Sequence, residues 1–293
     1  MHPFTKVLVA TDLSEAADEA MRQAAVVAGL YAAKLTVFHA LPHAAASMPL
    51  FPQLGLQERS GFVALERRVL EALHHRTAEV LGRSTPVEVA IGSGSAHAAI
   101  VEHAEKTGSN LIVVGGEGPK GVARLVLGAV AERVVRHAHA PVWIARRGGG
   151  DGPVVIGTDF SASAAAATGL GLDFAKRTGA KVMLAHALSV AKLVPPPGPA
   201  VEQPAFPTWS MEDIETLREA ARARLVATGL DAETVVNDDS PGVVLPELAR
   251  QSKARLICVG TAGHTGLSRV LLGSVAEEVV RKASCPVLVT RKA

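Results

Sequence analysis

The sequence predicts an α/β protein made of two tandem, doubly wound domains, each a parallel sheet flanked by helices. Internal repetition is the first ground. Lys6-Val-Leu-Val-Ala-Thr-Asp12 matches Val154-Val-Ile-Gly-Thr-Asp159, and Lys34-Leu-Thr-Val-Phe-His39 matches Lys181-Val-Met-Leu-Ala-His186, both at an offset of 147 residues. Farther along, Gly115 matches Gly260, Arg124 matches Arg269 and Pro141 matches Pro286, at an offset of 145. A period this long marks a duplicated domain rather than a solenoid repeat. The second ground is the alternation of short, β-rich apolar runs with amphipathic stretches, which implies parallel strands joined by right-handed crossovers. The third is a glycine-rich joint, Arg146-Arg147-Gly148-Gly149-Gly150-Asp151-Gly152-Pro153, expected to be flexible. It sets the domains at 1–147 and 151–293.

Each half reads strand, helix, strand, loop and helix, strand, helix, strand, glycine loop, helix, strand. In the second half the expected strands are Val154–Gly157, Lys181–Ala185, a weak one at Glu233–Val236, Leu256–Val259 and Val287–Thr290. Helices are expected at Ser163–Thr178, Val243–Gln251 and Val275–Lys282. The proline-dense stretch Pro195–Pro207 withholds backbone donors and reads as a stiff surface excursion before its helix. Its counterpart, His43–Ser60, also reads as irregular.

Composition narrows the function classes. Lys and Arg together number 30 against 28 Asp and Glu, a net charge of +2, which gives no electrostatic ground for nucleic acid or an anionic membrane as partner. No apolar run approaches the roughly 20 residues of a membrane helix. The N-terminus runs directly into a strand without a signal-peptide pattern, so a cytoplasmic location is expected. Two cysteines, Cys258 in a strand-like run and Cys285 before a proline, read as reduced and structural.

The chemistry lies in the glycine loops. Val259-Gly260-Thr-Ala-Gly263 ends an apolar run, and nine residues then separate Gly263 from Gly273-Ser274. Glycines let the backbone approach a ligand closely and adopt positive φ. The helix that follows offers unpaired amides and a dipole to phosphate oxygens, and Ser274 adds a hydroxyl that can reach a phosphate or a bound metal. Thr158-Asp159 follows the first strand at the carboxyl edge of the sheet, where open α/β sheets bind ligands. The competing reading is that the glycines only make tight turns and Ser274 only caps a helix.

This run, with Arg269 inside it and Cys285-Pro286-Val287-Leu288-Val289 after it, resembles the universal stress protein family, whose ATP-binding signature is Gly, two residues, Gly, nine residues, Gly, then Ser or Thr. The resemblance covers nearly the whole chain as a tandem pair. It implies five-stranded parallel sheets of order 3-2-1-4-5. It further implies that the last strands, Pro141–Ala145 and Pro286–Thr290, pair across a pseudo-twofold axis within the chain as an intramolecular pseudo-dimer, with homodimerisation open. By the same resemblance Thr158 and Asp159 lie at the adenosine side of an ATP site, with or without Mg, and the backbone of Ala187 meets the adenine. Val259, Gly260 and Gly263 then approach the phosphates, and Gly273, Ser274 and Val275 cradle the triphosphate.

The first half keeps Asp12, Gly115, Gly118 and Gly128 but carries Ala129 where the pattern asks for a hydroxyl. Glu117 adds a negative charge between the glycines. One lost hydrogen bond to a charged group costs about 1.5–3 kcal/mol, roughly ten- to a hundredfold in affinity. A weaker second nucleotide site is expected there.

Other motifs lose on context. Gly116-Glu-Gly118-Pro-Lys-Gly121 matches GxGxxG but follows the fourth strand rather than the first. No GxxxxGK[ST] and no GxSxG occurs. His97, His103, His137 and His139 lack a matching cysteine or carboxylate set and read as surface groups rather than metal ligands. His39 and His186 read as half-buried packing groups. The leading function is a nucleotide-responsive stress regulator binding ATP mainly in the second half and acting on an unknown protein partner. The alternatives are a slow ATPase, for which no general base or arginine finger is evident beyond Arg269, and a nucleotide-independent protein-binding scaffold.

Overall fold

A computed structural model describes residues 3–41, 55–116, 127–188, 210–261 and 272–291, with side chains of the second segment from residue 63 onward. The chain divides into two compact units, Met1–Arg147 and Gly148–Ala293. The first unit runs β1 (Lys6–Ala10), α1 (Glu15–Tyr31), β2 (Lys34–Leu41), α2 (Gly55–Leu81), β3 (Val87–Ser93), α3 (Ala96–Thr107), β4 (Leu111–Gly115), α4 (Ala129–His137), β5 (Val142–Ala145). The second runs β6 (Val154–Gly157), α5 (Ala162–Thr178), β7 (Val182–Ala187), α6 (Met211–Val226), β8 (Glu233–Asn237), α7 (Pro241–Gln251), β9 (Leu256–Gly260), α8 (Ser274–Lys282), β10 (Val287–Thr290).

All strand pairs within a unit are parallel. In the first unit Val7 faces Leu35 of β2 on one side and Leu111 of β4 on the other, giving the order β3-β2-β1-β4-β5. In the second, Val154 faces Val182 of β7 and Leu256 of β9, giving β8-β7-β6-β9-β10. Each order is 3-2-1-4-5 within its unit, as the family resemblance implies. The chain reverses direction across the sheet between the first and fourth strands, so the loops leaving their carboxyl ends splay apart and open a crevice. Helices cover both faces, which is why the central strands are continuous apolar runs: Val7–Val9, Leu111–Val114, Val154–Ile156 and Leu256–Val259 are all at most 3% exposed.

Local signals set the helix ends. Ser14 and Ser161 cap α1 and α5 by accepting the amides of Ala17 and Ala164. Ser210 and Asp213 form a capping box at α6. Pro241 opens α7, where its missing N–H costs nothing, so that helix begins two residues before the expected Val243. The stretch His43–Ser60 departs from its irregular reading at its far end, because α2 already starts at Gly55. Pro195–Pro207 lies outside the described residues.

The glycine-rich joint is not the free tether its composition suggests. The amides of Gly150 and Gly152 donate to the carbonyls of Ala254 and Lys253 at 3.3 and 3.1 Å, and Arg255 donates back to the carbonyls of Gly152 and Asp151. A Cβ at Gly152 would lie 2.3 Å from the Ser252 carbonyl oxygen. These glycines serve close backbone packing within the second unit, and flexibility is what composition alone would imply.

Arg218 of α6 donates through Nε to Asp238, just past β8, at 2.9 Å, and also pairs with Glu215. The guanidinium holds the Asp238 carboxyl below its usual value, its hydrogen bond being the main cause. A depressed folded-state pKa stabilises above the unfolded value near 4 and loses that contribution as pH falls through the folded one. Arg218→Leu is therefore expected to lower the urea midpoint only slightly at pH 7, since Asp238 is well exposed. The difference from the parent should shrink as the pH of the melts is lowered through and below the ordinary carboxylate range. A gap that does not shrink would show that Arg218 acts by packing.

Cys258 is fully buried in β9, and burial pushes its thiol pKa up, which removes thiolate chemistry at neutral pH. No helix among the described residues is long and apolar enough to cross a membrane.

Candidate functional site

The site begins with the turn after the first strand of each unit. In the second unit Thr158 Oγ1 accepts the Phe160 amide at 3.0 Å, Asp159 Oδ1 accepts the Ser161 amide at 2.9 Å, and Ser161 Oγ accepts the Ala164 amide at 3.2 Å. Phe160 sits at φ +63°, a left-handed conformation that this ladder of side-chain bonds holds in place. In the first unit Thr11, Asp12 and Ser14 repeat the ladder, with Leu13 at φ +65°. The repeated Thr-Asp-x-Ser is thus a device for turning strand into helix, and it aims the Asp159 carboxylate as it does so. His186 Nδ1 lies 2.8 Å from the Thr158 carbonyl, as His39 Nδ1 does from that of Thr11. Both imidazoles are half-buried and fasten the second strand to this turn.

Across the crevice, Gly260 ends β9 with a negative φ, contrary to the expectation of a left-handed glycine. Its missing side chain serves packing: a Cβ would stand 2.9 Å from the Ser163 carbonyl carbon and 3.1 Å from the Ala164 nitrogen. Gly260 thus also packs closely on the first turn of α5. The Gly273 amide donates to the Thr261 carbonyl at 2.7 Å, bringing the two ends of the glycine loop together. Gly273 is the N-cap of α8 and gives no side-chain cap bond, while Ser274 is the first helical residue. The reading of Ser274 as a mere helix cap is excluded by that position. Its hydroxyl is exposed and makes no protein hydrogen bond among the described residues, and the first-turn amides beside it have no intrahelical acceptor.

These parts enclose one cavity of about 210 Å³ in the second unit. Thr158, Asp159, Ala187, Val259, Gly260, Gly273, Ser274 and Val275 all line it. Gly263 and Arg269 lie outside the described residues, as do Ala262, Glu117, Gly118 and Arg124. The structure adds a wall that sequence reasoning missed: Pro241, Val244 and Leu245 of α7, with Thr261 beside Gly260. Thr261 was within reach, standing inside the glycine motif. The α7 residues carry no motif; the packing of α7 on α8 and on β6, β7 and β9 brings them there. Asp159 is the single charged residue of the described lining.

The first unit holds a matching cavity of about 290 Å³, lined by Asp12, Gly115, Gly128 and Ala129 among others. Gly128 caps α4 as Gly273 caps α8, and its amide reaches the Gly116 carbonyl at 3.3 Å. The methyl of Ala129 stands where Ser274 presents its hydroxyl. Among the histidines, His103 is half-buried against Phe38, with ring centroids 4.6 Å apart, and burial lowers its pKa. It is a packing group rather than the surface residue expected. His97 lies 5.6 Å from His137, ring to ring. No three His, Cys, Asp or Glu side chains among the described residues are placed to hold a metal ion.

Comparison with known proteins agrees with this architecture. The universal stress protein family model matches twice, over residues 3–146 and 152–291. A universal stress protein of Mycolicibacterium smegmatis is 28% identical, with 97% of this chain and 96% of the relative covered. One from Mycobacterium tuberculosis is 29% identical over 98% of this chain and 96% of its own length. Among solved structures, a universal stress protein from Archaeoglobus fulgidus superposes with a TM-score of 0.68 at 17% identity, covering 98% of each chain, a likeness of fold. Two matched domains, a shared strand order and a full-length likeness leave one classification: the chain belongs to the universal stress protein family, in its tandem form.

Proposed function

We propose that the second unit binds ATP and that the chain acts as a nucleotide-responsive stress regulator. One observation carries the reading: the Ser274 hydroxyl lines the cavity at the first turn of α8, without a protein partner among the described residues and beside unpaired helix amides. Helix amides and a hydroxyl are what phosphate oxygens need. Thr158, Asp159 and Ala187 take the adenosine side. Val259, Gly260, Gly273, Ser274 and Val275 take the phosphate side, with Gly263 completing the motif in sequence. The cavity is smaller than the roughly 300–1,000 Å³ of clefts that engulf drug-sized ligands. The base and sugar therefore occupy it while the phosphates run along the α8 terminus. The α8 dipole and Mg bound with the nucleotide offset part of the polyphosphate charge. Asp12, Gly115 and Gly128 form the weaker triphosphate site, with Gly118 alongside in sequence.

Isothermal titration of the full chain with ATP and Mg is the test. Binding is expected, and Ser274→Ala should weaken it about ten- to a hundredfold, the value of a hydrogen bond to a charged group. ATP binding that Ser274→Ala leaves unchanged, or no binding at all, would sink the reading.

A further inference from the structure

Three imidazoles gather on two neighbouring helices of the first unit, and the second unit has none at the matching places. His97 and His103 stand on α3, and His137 on α4. At an offset of 145 these positions hold Gly242, Leu248 and Lys282. In the second unit Lys282 pairs with Glu278, whereas the first unit carries Arg133 at the place of that acid. A self-paired acid and base are replaced by a cluster of bases.

His97 is the second residue of α3, at the positive end of the helix dipole, which disfavours a cation. No acidic residue stands in that first turn, and the Ser95 side chain makes no cap bond. From α4 the His137 ring lies 5.6 Å away, and the Arg133 guanidinium is close enough to repel a charged imidazole. His103 packs on the sheet instead. Its ring lies 4.6 Å from that of Phe38 in β2, with 31° between the planes. Phe38 is fully buried, and β3 crowds the same ring, since a Cβ at Gly92 would stand 2.7 Å from its Cζ. A phenyl face attracts a cation but offers it no hydrogen-bond acceptor in place of water.

Neither imidazole of α3 has a hydrogen bond or a carboxylate partner among the described residues. Glu102 pairs with Lys106, Glu105 with His139, and Glu132 of α4 with Arg136. On the strands, His39 Nδ1 meets the Thr11 carbonyl, while Lys34 of β2 and Glu88 of β3 are exposed. Burial, then Arg133 and His137, lowers the pKa of His97; burial, then Lys106, lowers that of His103. A histidine whose folded-state value lies below its unfolded one, near 6.5, stabilises fully above the unfolded value. It loses that contribution as pH falls toward and through the folded one. Since Ala96 and Ile100 of α3 line the first cavity, any loosening of this helix opens that cavity.

We propose that α3 is an acid-sensitive wall: proton uptake by His97 and His103 below about pH 6.5 loosens it from β2 and α4 and opens the first cavity, while α7 of the second unit keeps its place. The inference stands independently of whether either cavity takes a nucleotide.

Hydrogen-exchange mass spectrometry of the full chain at about pH 7.5 and about pH 5.5, with labelling times scaled to the intrinsic exchange rate, is the test. At the lower pH, peptides of α3 are expected to lose protection by up to about tenfold for each histidine, the degree to which a released imidazole is protonated one unit below its pKa. Peptides of α7 should hold theirs. His103→Leu, which installs the residue of the second unit, and His97→Gln should each remove part of the loss, and the two together nearly all of it. His97→Gln, at the half-buried helix start, keeps the test open if His103→Leu folds poorly. Equal protection of α3 at the two pH values, an equal loss in α3 and α7, or a loss that His97→Gln and the double variant leave in place overturns the inference.

Discussion

Gly260→Ala is expected to destabilise the second unit by about 1–3 kcal/mol, the usual cost of forcing a methyl into a packed site. The new Cβ would stand 2.9 Å from the Ser163 carbonyl carbon, 3.0 Å from its oxygen and 3.1 Å from the Ala164 nitrogen. These are backbone atoms of a capped helix start, so relief requires moving α5 away from β9. That movement would also disturb the Thr158–Ser161 ladder, so ATP affinity should fall at temperatures where the variant is still folded. Gly169→Ala is the control. Nothing lies within 4 Å of a Cβ at that position in the middle of α5, so it should cost nothing and, by helix propensity, add up to about 1 kcal/mol. Scanning calorimetry checks both. If the two variants melt alike, or Gly260→Ala melts with the parent, Gly260 is not a packing contact.

The other large effect lies in the first unit, where Arg76→Met is expected to cost about 2–4 kcal/mol. Arg76 of α2 grips Asp18 of α1 through both oxygens, Nε to Oδ1 at 3.1 Å and Nη2 to Oδ2 at 2.7 Å. The Asp18 side chain is 8% exposed and that of Arg76 29%. Removing the guanidinium leaves a buried carboxylate whose remaining counter-charge among the described residues is Arg22, 4.0 Å away. Breaking a fully buried pair costs about 3–5 kcal/mol, and the exposure of Arg76 lowers that range. The double variant Asp18→Asn/Arg76→Met should recover more than half of the loss, because the uncompensated charge goes with the arginine. Denaturant melts of the two singles and the double complete the cycle. Additive losses would show that the pair is decorative and that α2 is held by its apolar face alone.

Much of the fold was legible because its signals are local or repeated. Apolar runs of four or five residues, the glycine spacing and the doubled Thr-Asp-x-Ser each announce themselves within a few residues, and the repeat at about 145 supplies the domain period. Strand order was legible through family resemblance alone, since no local pattern says that β1 lies between β2 and β4. The candidate lining was legible on its two motif-bearing sides. Its third wall was not: Pro241, Val244 and Leu245 sit on a helix whose apolar face looks like any core face.

One error has a compositional cause. The 148–153 glycines read as a tether, because composition reports what a backbone is able to do rather than what stands next to it. Ser274 reads equally well as a cap or a ligand, and the start of α8 one residue earlier than expected decides that it is no cap. By itself, then, the sequence determined a duplicated α/β chain with parallel sheets and the asymmetry of Ser274 against Ala129. Those properties are written in periodicity and in single residue types. Tertiary structure alone decided that Gly260 makes room for a helix, that Gly92 makes room for Phe38, and that the first cavity stays open beside that ring. Each of these is a contact between residues far apart in the chain, set by packing volume, which no local pattern encodes.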